Sequence, residues 1–420
     1  MIGRKKTGSS VLPVAITGMG CMAGGGIDIN DLWKNQQAGT VNCHQVPEYL
    51  FKTILEYPVF SAPAECFSEA AKKLVSYTSP SFLEGSVSRT VLLACSAVAE
   101  ALQLAAVNPD LLQKTRVGIV LGTTVGCTFH DEEYYSAWRE GLEPDLGPVQ
   151  FYLGGNVASA LHRILGTSGP SAVVTNACAS GTDAIGIARN WLVTGQCDVA
   201  IAGGADELSR VAYNGFASLM LADTVSCRPF SADRKGLNLG EGSGVVVMES
   251  DDFLAARGGT PLGRVLGYGC AADAWHPTAP HPEGRGLKNA LGQALRDAGS
   301  PDDQPALVNA HGTGTKANDR AETSALAEIF AEAKGLTVVS SKGLTGHTLG
   351  AAGGIEAVLL LMALRNGQTP GTIGCRKVDP DFPLQPLAMD ASRELHGCWG
   401  ISESLAFGGG NSALVLEAVS

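Results

Sequence analysis

The stretch VVTNACASGTDAIGIARNWL, Val173 to Leu192, poses the problem on which the fold turns. A short apolar run ends at Thr175-Asn176-Ala177, Cys178 follows, and small residues lead into a helical pattern. That pattern carries Ala184, Ile185, Ile187, Ala188, Trp191 and Leu192 with few polar residues between them, so the helix reads as central and buried. Cys178 then sits at a strand-to-helix corner, at the helix N-terminus. The helix dipole and the free N–H groups there favour thiolate over thiol. Ala177, Ala179, Ser180 and Gly181 are small enough to let a substrate approach. A packed core cysteine would show the same local pattern, so position alone does not decide the role of Cys178.

Outward from this corner, apolar strands alternate with helical patterns along the whole chain, which argues for α/β layering. Residues 12–16, 116–122, 171–177, 197–204 and 242–250 read as buried strands, and Ser88–Ala105 as a helix with Leu92, Cys95, Ala99 and Leu102 on one side. After a joint near Ser250–Gly263 the style repeats. GRVLGYGC, ALVNAHG, LTVVSSKG and SALVLEA read as strands, GLKNALGQALRDAG as an amphipathic helix, and GGIEAVLLLMALRNGQ as a helix apolar all round. A duplicated unit is expected, with halves 1–255 and 256–420. Residues 123–160 and 223–236 break the rhythm and read as loop-rich binding segments.

Composition excludes several classes. A net charge of −11, from 30 basic and 41 acidic residues, disfavours nucleic acid as the main ligand. Eleven cysteines without a CxxC pattern fit a reducing cytoplasm and free thiols. The N-terminal apolar run is broken by Pro13 and Gly18, so it reads as a first strand and not as a secretory signal. No run has the roughly 18 consecutive apolar residues that a bilayer span needs.

Two histidine motifs give Cys178 company. VNAHGTGTKANDRAE places His311 just after a buried strand. SSKGLTGHTLGAAGGIE places His347 in a glycine-rich loop before a buried helix, with Lys342 and Glu356 on either side. Both stand at strand-to-loop exits, which suggests one shared pocket at the end of the sheet. A thiol and two imidazoles could ligate zinc, although no fourth ligand stands out. They could form a cysteine hydrolase, which leaves one histidine and Lys342 idle. They could also hold a thioester on Cys178 while two neutral imidazoles donate N–H to an enolate oxygen, which uses every group.

NACASG, NAHGTGT, SSKGLTGH and LAFGGGNS, in that order, resemble the motifs of β-ketoacyl-acyl carrier protein synthases, condensing enzymes of the thiolase superfamily. RPFSADRKGLNLGEGSGVVVME resembles a further family stretch, and the likeness runs from about residue 13 to 418, nearest to the synthase II type. It implies an α/β thiolase-like five-layered αβαβα fold of two duplicated halves, and decarboxylative condensation of malonyl-carrier with an acyl thioester on Cys178. On the family pattern His311 and His347 stabilise the enolate, and Lys342 orients the histidine network. Glu356 holds Lys342 or a structural water or ion. The backbone N–H groups of Cys178 and Phe407 form the oxyanion site, Phe407 is the gate, and Gly408 and Gly409 let the backbone approach the thioester. Thr313 and Thr315 bind the pantetheine arm, and Val125 stands at the acyl tunnel.

The resemblance implies no metal and no free cofactor, since phosphopantetheine arrives on the acyl carrier protein. It implies a homodimer, with a heterodimer of related subunits as the alternative, and neither nucleic acid nor membrane as a partner. An acidic carrier needs a basic patch, for which Lys72, Lys73, Arg89, Arg210 and Arg228 are the candidates. A non-catalytic chain-length factor shares the fold but lacks the cysteine, and thiolases use a second cysteine with one histidine. The chain departs from the family at Gly410, Gly343 and Ser231, and its 217–228 loop is shorter, as in synthases of polyene or type II polyketide pathways.

Overall fold

The computed structural model describes residues 13–63, 77, 88–126, 128–147, 149–150, 156–301, 303–333 and 336–419. The first half holds β1 (Val14–Ala23), β2 (Val117–Gly122), β3 (Ser171–Val174), β4 (Val199–Asp206) and β5 (Gly242–Glu249). The second holds β6 (Gly263–Ala272), β7 (Leu307–Asn309), β8 (Val338–Val339), a side ribbon of β9 (Gln368–Pro370) and β10 (Ser392–Glu394), then β11 (Trp399–Leu405) and β12 (Gly410–Ala418).

Strand order demonstrates the duplication. The ten-stranded sheet runs β3-β2-β4-β5-β1-β6-β12-β11-β7-β8. From its outer edge inward, each half lists its third, second, fourth, fifth and first strand once the side ribbon is set aside. Pairing senses repeat as well. β2 is parallel to β3 and β4, while β5 is antiparallel to β4 and β1. β7 is parallel to β8 and β11, while β12 is antiparallel to β11 and β6. The halves join where β1 meets β6 over Val14–Ile16 and Gly263–Val265. The Asp251–Arg257 helix leads from β5 towards β6, and we place the joint there.

Five layers follow from the helix packing. The Arg89–Leu104 helix covers β1 and β5 from outside, and the Arg285–Asp297 helix covers β6 and β12. Between the half-sheets lie the Ser180–Val193 and Ala352–Asn366 helices, each touching strands of both halves and each other. Close approach on the outside needs glycine. A Cβ on Gly18 or Gly20 of β1 would lie 2.0 or 1.9 Å from the carbonyl oxygens of Ala101 and Ala97. In β6, Gly267 and Gly269 stand 2.3 and 2.2 Å, by the same measure, from the oxygens of Ala294 and Ala290. Strand and helix are therefore paired in the same way in both halves.

Three local expectations change. Residues 123–160 contain the helix Thr128–Arg139 and the first turn of the helix Val157–Leu165. The strand expected to Ala177 ends at Val174, where the backbone turns. The Arg89–Leu104 helix is buried over most of its circumference, whereas Leu92, expected on the buried side, is half-buried. The span Leu349–Asn366 does have the length and hydropathy to cross a bilayer, but 83% of it is buried inside the protein, as a central-layer helix should be.

Candidate active site

Cys178 occupies a strained corner. Ala177, before it, has φ 43°, in the left-handed region that a non-glycine residue enters at a cost of about 1–3 kcal/mol. Hydrogen bonds hold the turn. Ser180 Oγ donates to the Ala177 carbonyl at 2.6 Å and Thr124 Oγ1 donates to it at 3.1 Å. The Asn176 N–H donates to Ser180 Oγ at 2.8 Å. The result presents the thiol at the start of the Ser180–Val193 helix, whose cap residue Ala179 offers no side-chain hydrogen bond.

The charge state differs from the sequence expectation. Burial pushes the Cys178 thiol up to about 12, against the pull of Lys342 and a hydrogen bond from the Phe407 amide. Three pH units correspond to about 4 kcal/mol, whereas a helix terminus supplies at most about 2. Burial wins, and the resting group is a thiol.

His311 follows β7 and is fixed from below. Its N–H and that of Gly312 donate to the carboxylate of Glu322 on the Lys316–Ile329 helix. Lys342 Nζ donates to the His311 carbonyl at 2.5 Å, stands 3.2 Å from His311 Nδ1, and is ion-paired with Glu356. His347 is fixed by its backbone, whose N–H donates to the Asn238 carbonyl at 2.7 Å. The Leu349 N–H donates to His347 Nδ1 at 3.2 Å.

These contacts set the tautomers. An ammonium and a backbone amide can only donate, so both Nδ1 atoms accept and both Nε2 atoms carry the proton. Burial, then Lys342, hold both imidazoles well below the usual histidine range; His347 adds to the effect on His311. The rings cross at 5.1 Å and 82°. The Cys178 sulfur and one nitrogen of each ring lie within 4.8 Å of one another. This donor set suits zinc in composition, but a metal-bound imidazole donates its second ring N–H outward. Here both second nitrogens accept, so the wiring favours N–H donation over ligation.

The surrounding cavity measures about 50 Å³ and is lined by Cys178, both histidines, Thr313, Thr315, Phe216 and Phe407, among others. Thr313 and Thr315 share a hydrogen bond of 2.9 Å. Val125 packs against the apolar cluster that contains Phe216 and Leu349. Gly408 and Gly409 have φ 85° and 80°, which explains glycine at both positions. Two departures have steric causes. A Cβ on Gly410 would lie 2.7 Å from Asn176 Oδ1, and one on Gly343 would lie 2.1 Å from the Ile373 carbonyl oxygen.

Sequence reasoning missed several residues of this site. Asp206, fully buried, accepts N–H from Thr124, Val125 and Gly126 and from Gly350, tying the Val125 loop to the loop after His347. Burial raises it to about 6. Burial pushes Glu322 up to about 7, and burial, then Glu322, hold Glu403 well above the usual carboxylate range. Glu356 Oε2, Asn309 Oδ1 and Ser402 Oγ are buried acceptors without a hydrogen-bond partner among the described residues. Asn309 and Ser402 are paired across β7 and β11, and Asn309 Nδ2 donates to the Glu356 carbonyl at 2.9 Å. A water or a hard cation would suit these oxygens.

The docking candidates scatter. Arg89 forms a two-pronged ion pair with buried Glu241, and Arg228 bridges Asp223 and Asp233. Arg210 is half-exposed, 3.6 Å from Glu132. Lys72 and Lys73 lie outside the described residues.

The description "Beta-ketoacyl synthase, N-terminal domain" matches residues 12–253, and "Beta-ketoacyl synthase, C-terminal domain" matches residues 262–376. A "3-oxoacyl-[acyl-carrier-protein] synthase 2" of Staphylococcus aureus is 31% identical over 97% of this chain and 99% of its own. "Nodulation protein E" of Rhizobium meliloti is 33% identical, with the same shares covered. The solved "ishigamide ketosynthase/chain length factor" superimposes with a TM-score of 0.88 at 28% identity, covering 98% of this chain and 100% of that one.

Proposed function

The chain belongs to the β-ketoacyl synthase family, and from that premise we propose that it extends carrier-bound acyl chains by decarboxylative condensation with malonyl-carrier, using Cys178 as nucleophile. The observation that carries this reading is the meeting of one thiol with two imidazoles whose protonated nitrogens are both Nε2.

The steps follow from the groups present. Cys178 Sγ attacks the acyl thioester, and the Cys178 and Phe407 amides receive the oxyanion. The pantetheine sulfur leaves with the proton that the Cys178 thiol gives up, and acyl-Cys178 remains. Malonyl-carrier then enters, its arm held by Thr313 and Thr315, so phosphopantetheine arrives with the carrier and no free cofactor is needed. Loss of CO₂ builds charge on the malonyl thioester oxygen, which His311 and His347 stabilise at roughly 3–4 kcal/mol per placed donor. The carbanion attacks the Cys178 thioester and expels the Cys178 thiolate, which takes a proton from solvent to restore the thiol, and the product is a β-ketoacyl chain two carbons longer. Lys342 keeps both imidazoles neutral and fixes the His311 tautomer, while Glu356 and Glu322 hold Lys342 and the His311 loop.

The partner is an acidic acyl carrier protein, met at the cavity mouth, with Arg210 the most accessible described candidate. We assign the outer edge of β3, where the sheet ends among the described residues, to a second subunit. A related synthase subunit could fill that place, as the ishigamide pair suggests. Cys178 argues against this chain being the non-catalytic member. The nine described cysteines are all free, which supports a reducing, cytoplasmic setting.

Separating the half-reactions tests the assignment. His311→Ala and His347→Ala should each lower malonyl decarboxylation about 10²–10³-fold while Cys178 is still acylated. A variant that decarboxylates at the parent rate would remove the enolate role from that histidine.

A further inference from the structure

We propose that Phe216 is the latch of the Phe407 gate, a positioning residue that makes malonyl decarboxylation wait for acylation of Cys178; this rests on the condensing reading above. Phe216 lies in the Arg210–Ser218 helix, 9% exposed. Its ring stacks on Phe407 at 5.1 Å and 23°, and meets His347 edge-on at 6.3 Å and 64°. One side chain therefore touches both the gate and an imidazole assigned to the enolate.

The pocket at the thiol is narrow, about 50 Å³, and Phe216 and Phe407 both line it beside the two histidines. A pantetheine arm bound for the histidines therefore passes this aromatic pair. Two sets of contacts hold the gate. Its backbone is tied by the Gly408 N–H to the Pro277 carbonyl and by the Asp273 N–H to the Gly409 carbonyl, each at 2.7 Å. Phe407 itself meets the Cys178 sulfur through its amide and Phe216 through its ring, and these two contacts are the ones that acylation can change.

Acylation acts on both contacts. The sulfur becomes a thioester and a poorer acceptor. The acyl chain is directed towards the apolar cluster that Phe216, Val125, Leu349 and Phe407 share. The stack therefore stabilises the closed gate chiefly while the thiol is free. Once Phe407 swings out, Phe216 stays beside His347 as an apolar wall that keeps water from the donating imidazole.

The test compares acyl-independent decarboxylation of malonyl-carrier with condensation in the same preparation. Phe216→Leu keeps the site apolar without a ring to stack. Its decarboxylation-to-condensation ratio should rise roughly 2- to 10-fold, the value of one aromatic pair. Phe216→Tyr, which retains the ring, should stay within about twofold of the parent. Acyl-Cys178, read by mass spectrometry in each variant, shows that the site is folded. A ratio unchanged in Phe216→Leu, or raised equally in Phe216→Tyr, overturns the latch. Failure of the underlying reading shows separately, as absence of acyl-Cys178 in the parent.

Discussion

At Cys178 two influences oppose each other, and their sizes decide the chemistry. The helix terminus favours thiolate, but burial behind Phe407 raises the thiol to about 12. Reactivity should then follow a rising thiolate fraction. Alkylation by a small haloacetamide should climb about tenfold per pH unit from 7 to 10 without a plateau. A plateau with a midpoint between 6 and 8 would show that the terminus dominates. The neutral histidines fit the same logic, since protonating either one would place a second cation beside Lys342. Cys178, His311, His347 and Lys342 were legible because each stands in a glycine-rich segment after a strand. Asp206, Phe216 and Glu322 were not, because their roles come from partners distant in the chain. Nothing in GGADE foretells that Asp206 will collect the Gly350 amide, 144 residues away.

Among the elements, the short Lys342–Thr345 helix shows how closely the site is fitted. A β-carbon on Gly343 would meet the Ile373 carbonyl oxygen, and the flexible tip of a side chain is not there to yield. Gly343→Ala should force this helix, and Lys342 with it, away from the 373 segment. Overpacking of this kind costs about 1–3 kcal/mol, read as a lower denaturant midpoint, and condensation should fall with it. A variant at least as stable as the parent would show that the segment has slack. The loop reading of 123–160 failed for a related reason. Thr128–Arg139 exposes Tyr135 and Trp138, so it lacks the clear apolar stripe that marks a helix against a core. The sharp end of β3 at Val174 was also hidden, because Ala177 enters the left-handed region without a glycine to announce it.

For the whole molecule, one strand order used twice accounts for the position of the chemistry. Each half contributes a buried helix to the middle layer, and the N-terminal ends of these helices meet at Gly181, Gly353 and Gly354. Cys178 precedes one helix and His347 the other, so duplication itself brings the proposed nucleophile and the proposed donor together. α/β layering was legible throughout, and a duplicated unit was expected from the repeated order of strands and helices alone. A residue-level signal was present as well. Gly18-Met19-Gly20-Cys21 and Gly267-Tyr268-Gly269-Cys270 are the same pattern on the first strand of each half, facing Ala97/Ala101 and Ala290/Ala294. Periodicity searches overlook it because what repeats is a pair of absent side chains. The shared cavity can be tested in one measurement on the full-length protein. After incubation with acyl-carrier, intact and peptide mass spectrometry should locate the acyl group on Cys178. Malonyl-carrier should then remove it as a β-ketoacyl-carrier two carbons longer, and Cys178→Ala should do neither. An acyl group on another residue, or chain extension by Cys178→Ala, would contradict the account.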